Sequence, residues 1–195
     1  MRAFLAIYPS TNVLNSLIEL QSSVKRFKKY LRFTRSENIH LTIRFLGDIV
    51  NEGSIGLIGK GLKEIISQTP SFDLRIKESK FGFPGQRWPS ILYTRVAKSE
   101  GLDRLNQVFG KVQGNLGDVE QVLHESDPIY HFTIARVNSR LNNQVVTDIR
   151  NKIAGIELWR EFHVNKIFLL ESIFRESGPE YRIVSSLHLG LDKKA

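Results

Sequence analysis

A chain of 195 residues, 41% hydrophobic and 25% charged, is long enough to bury a sizeable core and has the composition of an ordinary globular protein. The absence of cysteine excludes a disulfide framework, a thiol nucleophile and a cysteine-ligated zinc, and the first apolar run, Arg2 to Tyr8, is too short for a signal peptide or a spanning helix, so a cytoplasmic protein is expected. An excess of 28 Lys and Arg over 20 Asp and Glu, +8 in all, favours polyanionic partners and steers them inward.

Arg2 to Tyr8 reads as a strand buried on both faces, stopped by Pro9 with Ser10 and Thr11 as candidate helix caps. Val13, Leu17, Val24 and Phe27 recur at helical spacing to about Tyr30, and the cluster Lys25 to Lys29 suits a helix C-terminus. Leu31 to Phe33 is a short strand and Ser36 to Asn38 a turn. Ile39 to Asp48 is a strand carrying His40, and Ile55, Ile58, Leu62, Ile65 and Ile66 outline a second helix closed by Pro70. A long strand, Ser71 to Phe83, a turn rich in Gly and Pro through Pro89, and a return strand, Ile91 to Ala97, follow. Leu102, Leu105, Phe109 and Val112 mark a third helix, and Gly114 to Pro128 is read as connection. A second histidine strand begins at His131. Val145, Val146, Ile149 and Ile153 mark a fourth helix, Phe162 to Phe174 a long strand, and Tyr181 to Leu189 the last strand.

The two halves share one order of elements: a His-x-Thr strand, a loop, an amphipathic helix, a long strand, a turn and a return strand. Strands joined mostly by turns favour antiparallel sheets. The expected architecture is therefore α+β, a single domain over residues 1–195 with two similar lobes, each lending one histidine strand to a common cleft. In a strand, residues two apart face the same way, so His40 shares a face with Thr42, and His131 with Thr133.

Phosphodiester hydrolysis needs a base for the attacking water and an acid for the departing oxygen on the far side of phosphorus. Imidazole serves either role near neutral pH, and threonine hydroxyls can donate to the non-bridging oxygens. No metal or other cofactor is required. His124 and Glu125 are the single His–carboxylate pair at ligand spacing near a motif, and they lie in a poorly patterned stretch. His163 and His188 are read as structural or surface residues. Trp88 and Tyr130 are candidates for stacking on bases, whereas Trp159 is read as a packing residue.

The contexts Glu37-Asn38-Ile39-His40-Leu41-Thr42-Ile43-Arg44-Phe45-Leu46-Gly47 and His131-Phe132-Thr133-Ile134-Ala135-Arg136-Val137 resemble the 2H phosphoesterase superfamily. Within it they are most similar to the bacterial and archaeal RNA 2′,3′-cyclic phosphodiesterases, formerly named 2′-5′ RNA ligases. The resemblance also takes in the Arg2 to Ile7 strand and the Phe83-Pro84 turn. It implies a bilobal fold around a central cleft and hydrolysis of a terminal cyclic phosphate on RNA to a 2′-phosphomonoester. It further implies His40 as proton donor, His131 as proton acceptor, and Thr42 and Thr133 as phosphate holders. Phe45 and Arg136 would line the nucleotide pocket, although strict alternation sets both on the face opposite the histidines. Tyr130 stands where the family often has proline, and Phe132 where an aliphatic residue is common. The expected partners are RNA ends or small nucleotides carrying a cyclic phosphate, with no membrane and no obligate protein partner. The alternatives are 2′-5′ ligation or 2′-5′ phosphodiester cleavage, and a non-catalytic RNA- or nucleotide-binding module of the same fold.

Overall fold

The computed structural model describes residues 2–48, 52–115, 128–176 and 178–190. Its described elements, in chain order, begin with β1 (Arg2–Ile7), α1 (Thr11–Ser23), β2 (Leu31–Phe33), β3 (Leu41–Asp48) and α2 (Glu52–Ser67). They continue with β4 (Phe72–Phe81), β5 (Ile91–Val96), α3 (Glu100–Asn115), β6 (His131–Val137) and α4 (Asn143–Ala154). The last three are β7 (Glu161–Val164), β8 (Lys166–Arg175) and β9 (Gly178–His188). None of the described helices is long and apolar enough to cross a membrane. His124 and Glu125 lie outside the described residues, as does most of the Gly114 to Pro128 connection.

The strands form one mixed-length sheet in the order β7-β4-β5-β6-β3-β1-β8-β9, with β2 added to β6, and every strand pair is antiparallel. The helices bury their apolar faces on this sheet: Val13, Leu17 and Leu20 from α1, Ile58, Leu62 and Ile66 from α2, Leu102, Leu105 and Phe109 from α3, and Val146, Ile149 and Ile153 from α4. They share one continuous core with Leu5, Leu41, Phe132 and Leu169 of the strands. β1 is buried on both faces, as its unbroken apolar run implies. Ala3, Leu5 and Ile7 enter the main core, while Phe4 and Ala6 join Leu170 in a smaller cluster on the other side.

Two elements differ from the sequence reading. The first helix ends at Ser23, and Val24 and Phe27 reach the core through a short 3-10 turn, Lys25–Phe27. The basic cluster therefore lies beyond the helix end. The strand expected over Phe162 to Phe174 is two strands broken at Asn165. β7 pairs with β4 and β8 pairs with β1, so that one residue carries the chain between distant parts of the sheet.

The sheet divides at β3 and β6, which share one paired position, Leu41 with Phe132. On one side lie β3, β1, β8 and β9; on the other lie β6, β5, β4 and β7. These groups are not successive in the chain. The β4–β5 hairpin that follows the His40 strand packs beside the His131 strand, and the β8–β9 hairpin that follows the His131 strand completes the His40 side.

The ends of the sheet meet again near Gly190. Its N–H donates to the Thr69 carbonyl at 2.8 Å, and its carbonyl accepts from the Ser71 N–H at 3.1 Å. A Cβ there would run into the Ser67 carbonyl oxygen, a backbone atom with little room to yield. Gly190→Ala is thus expected to destabilise the fold by about 1–3 kcal/mol, the range for overpacking. A thermal melt unchanged from wild type would contradict this role for the seam.

Candidate active site

His40 precedes β3 and His131 opens β6, and the two reach the same cleft because the strands meet at Leu41 and Phe132. Continuing that antiparallel register one step each way sets His40 across from Thr133 and Thr42 across from His131. The four side chains thus form a near-twofold square, imidazoles on one diagonal and hydroxyls on the other. All four line a cleft of about 740 Å³.

Each imidazole is held in the same way. Nδ1 of His40 lies 2.8 Å from the Asn38 carbonyl oxygen, and Nδ1 of His131 lies 2.6 Å from that of Ile129, in both cases two residues back. A carbonyl only accepts, so Nδ1 carries the proton and Nε2 is left for the cleft in both rings. Aromatic rings brace them. Phe4 and Tyr181 stand 5.0 and 4.9 Å from the His40 ring, and Phe83 and Tyr93 stand 5.2 and 5.3 Å from that of His131.

This enclosure sets the electrostatics. Burial pushes His40 down to about 4, against the opposing pull of the Asn38 carbonyl, and the charges of His131 and Arg136 add to the lowering. Burial also lowers His131, again opposed by its carbonyl partner and assisted by Arg136. Both rings are therefore neutral at pH 7. Burial raises the Tyr181 hydroxyl, so it stays protonated.

Phe45 and Arg136 also line the cleft, contrary to strict alternation. The reason is a pair of β-bulges at matching places. On β3, Thr42 pairs with Ala6 and Arg44 with Leu5, which leaves Ile43 as an extra residue. On β6, Thr133 pairs with Tyr93 and Ala135 with Leu92, which leaves Ile134 as the extra residue. A bulge shifts the side-chain parity by one. Phe45 is consequently returned to the face of Thr42, and Arg136 to the face of Thr133. Both bulges fall three residues after a histidine.

A residue with no motif signature supports the second bulge. Gln21 of α1 donates through Nε2 to the Thr34 carbonyl at 2.8 Å and to the Ile134 carbonyl at 2.9 Å. The Thr34 N–H also donates to Ile134, at 3.0 Å. This ties the end of β2 to the bulge, and a helix glutamine gives no sign of such a role in sequence.

Tyr130 is one of two sequence candidates, with Trp88, that do not line the cleft. It is buried, its hydroxyl accepts a hydrogen bond from Asn106 Nδ2, and it lines a smaller cavity behind His131. Its parity, one residue before His131, explains the placement. Phe132 packs against Phe162 in the core and forms no part of the cleft wall. Trp88 is exposed away from the cleft, and Trp159, read as a packing residue, is half exposed with its indole N–H on the Glu161 carbonyl. His163 is a surface residue paired with Asp73. Among the described residues no three His, Cys, Asp or Glu side chains gather as a metal site.

The family described as LigT like phosphoesterase matches residues 7–90. An RNA 2′,3′-cyclic phosphodiesterase of Aquifex aeolicus is 30% identical over 193 residues, covering 97% of this chain and 98% of the relative. Among solved structures, TT0787 of Thermus thermophilus superposes with a TM-score of 0.77 at 21% identity, covering 98% of this chain and all of the other. Escherichia coli LigT in apo form gives 0.67 at 18% identity, with 97% of each chain covered, and the same protein has been solved complexed with 3′-AMP and with phosphate. With the α+β antiparallel fold common to these structures and the near full-length match to the Aquifex protein, the chain belongs to the bacterial and archaeal RNA 2′,3′-cyclic phosphodiesterase family of the 2H phosphoesterase superfamily.

Proposed function

We propose that this protein hydrolyses a terminal 2′,3′-cyclic phosphate on RNA to a 2′-phosphomonoester, using His40 and His131 on opposite walls of one bilobal domain. The observation that carries the reading is the matched pair of imidazoles, each with Nδ1 on a backbone carbonyl and Nε2 left for the same cleft. The names of the curated relatives and the phosphate and 3′-AMP complexes of Escherichia coli LigT support a nucleotide phosphate as the ligand.

In the reaction, Nε2 of His131 accepts a proton from water as its oxygen bonds to phosphorus. The P–O3′ bond breaks, the electron pair leaves on O3′, and Nε2–H of His40 delivers a proton there. The hydroxyls of Thr42 and Thr133 donate to the non-bridging oxygens, where negative charge builds up. Phe45 and Arg136 hold the nucleotide. The hydrogen bonds to Asn38 and Ile129 keep each ring in the required tautomer through the proton transfers. The scheme uses no metal.

A product assay on defined RNAs with 2′,3′-cyclic ends and with 2′-5′ linkages tests this reading. A 2′-phosphomonoester formed with EDTA present is expected. Ligation or 2′-5′ cleavage as the main reaction would overturn it, as would binding of 2′-phosphorylated nucleotides without turnover.

The pH dependence follows from the two lowered imidazoles. The active form has His40 protonated and His131 neutral, and kcat/KM reports the free enzyme. With His40 at about 4 and His131 below its usual value of 6.5, kcat/KM should peak on the acid side of 6.5. A bound phosphodiester anion favours both imidazolium forms, so kcat should peak at higher pH than kcat/KM. A flat kcat/KM between about pH 5 and 8 would count against an imidazole pair.

A further inference from the structure

The cleft extends past the histidines along β2, and its charge there is one-sided. Arg32 of β2 is the direct cross-strand partner of Arg136 on β6. Direct partners in an antiparallel pair point to the same face, so Arg32 and Arg136 stand side by side, and both line the cleft. Like charges placed directly opposite destabilise a strand pair unless something of the other sign lies between them. Among the described residues no aspartate or glutamate lines this cleft, and neither arginine forms an ion pair with a carboxylate.

The position of the pair is fixed on both sides. Arg136 faces the cleft because of the Ile134 bulge, and β2 is tied to that bulge through Gln21 and Thr34. Arg35, which also lines the cleft, adds a further cation to this wall. β2 lies on the same edge of β6 as β3, opposite β5, so Arg32 stands one strand spacing, about 4.8 Å, from Arg136 on the His40 side of β6. Two guanidinium groups can grip a phosphate with several charge-assisted hydrogen bonds.

Resting on the proposed cyclic phosphodiesterase activity, we propose that Arg32 and Arg136 clamp a second phosphate, the 5′-phosphate of the terminal nucleotide. In an RNA strand that group is the internucleotide phosphodiester next to the cyclic end. The enzyme therefore favours a phosphorylated strand over an isolated nucleoside cyclic phosphate. Arg32 is the residue that makes this distinction, because Arg136 also lies close enough to the histidines to influence their titration.

The minimal probes are a nucleoside 2′,3′-cyclic phosphate with a free 5′-hydroxyl and the same compound with a 5′-phosphate. Wild type is expected to favour the second by about tenfold or more in kcat/KM, the size of one charge-assisted hydrogen bond. Arg32→Gln should bring that ratio close to one, and Arg32→Lys should keep part of it. Raising the salt should shrink the preference in wild type and leave the Arg32→Gln ratio flat. A ratio that Arg32→Gln does not alter, or equal losses on both substrates, would overturn the clamp.

Equilibrium binding separates the clamp from the chemistry. A nucleoside 2′,5′-bisphosphate should bind wild type more tightly than the 2′-monophosphate, and Arg32→Gln should erase the difference. If wild type hydrolyses neither cyclic substrate, the catalytic reading falls, while this affinity ratio still decides the clamp.

Discussion

His40→Ala and His131→Ala are each expected to lower kcat for a nucleoside 2′,3′-cyclic phosphate by about 10²–10⁴-fold, the usual contribution of a positioned general acid or base. Neither loss should be recovered by adding metal, because alanine removes the proton carrier itself. The double variant should fall short of the product of the single losses, since acid and base act on one transition state. Full activity in either single variant would exclude the two-histidine scheme.

Folding of the variants can be checked by a sign that the same site dictates. Burial holds His40 at about 4 in the folded protein, below its value of 6.5 in the unfolded chain. Between those values the unfolded chain binds a proton that the folded protein does not, so wild type loses stability as pH falls from 6.5 towards 4. His40→Ala lacks this linkage. Its melting temperature should therefore decline less than that of wild type over the same acid range.

Thr42→Val and Thr133→Val are expected to produce the next largest effect, about 10²–10³-fold each in kcat, as for removal of one oxyanion donor. Valine keeps the branched shape that suits a strand, so the loss isolates the hydroxyl. The near-twofold square sets each hydroxyl across from the opposite motif's histidine, which predicts comparable losses for the two. KM should change less than kcat, because charge on the non-bridging oxygens grows towards the transition state. A change confined to KM would make these threonines binding groups alone.

The placement of the four residues proposed to carry the chemistry was legible in the sequence. His40, Thr42, His131 and Thr133 follow from period-two alternation and the repetition of a motif, and the structure brings all four to one cleft. Most helix faces were legible too, since Val13, Leu17, Ile58, Leu62, Leu102, Leu105, Ile149 and Ile153 are buried as their spacing implies. Alternation failed where the backbone inserts a residue. Ile43 and Ile134 carry no local mark of a bulge, and without the bulges Phe45 and Arg136 fall on the wrong face.

Long-range pairing was the other blind spot. Asn165 breaks a continuous β-pattern because β7 and β8 find different partners, β4 and β1, and nothing between Phe162 and Phe174 encodes that choice. Arg32 and Gln21 became meaningful only once β2 was seen beside β6. Tyr130 was a candidate by residue type, and the parity of its position places it in the core.

The single-residue crossing at Asn165 also has a mechanical consequence. Val164 is hydrogen-bonded into the His131 group of strands and Lys166 into the His40 group, with no slack chain between them. Leu189 N–H bonds the Asn165 carbonyl at 2.9 Å, and Gly190 latches the neighbouring segment at Thr69 and Ser71. The two groups are stapled along this edge, so they cannot swing apart there as hinged jaws.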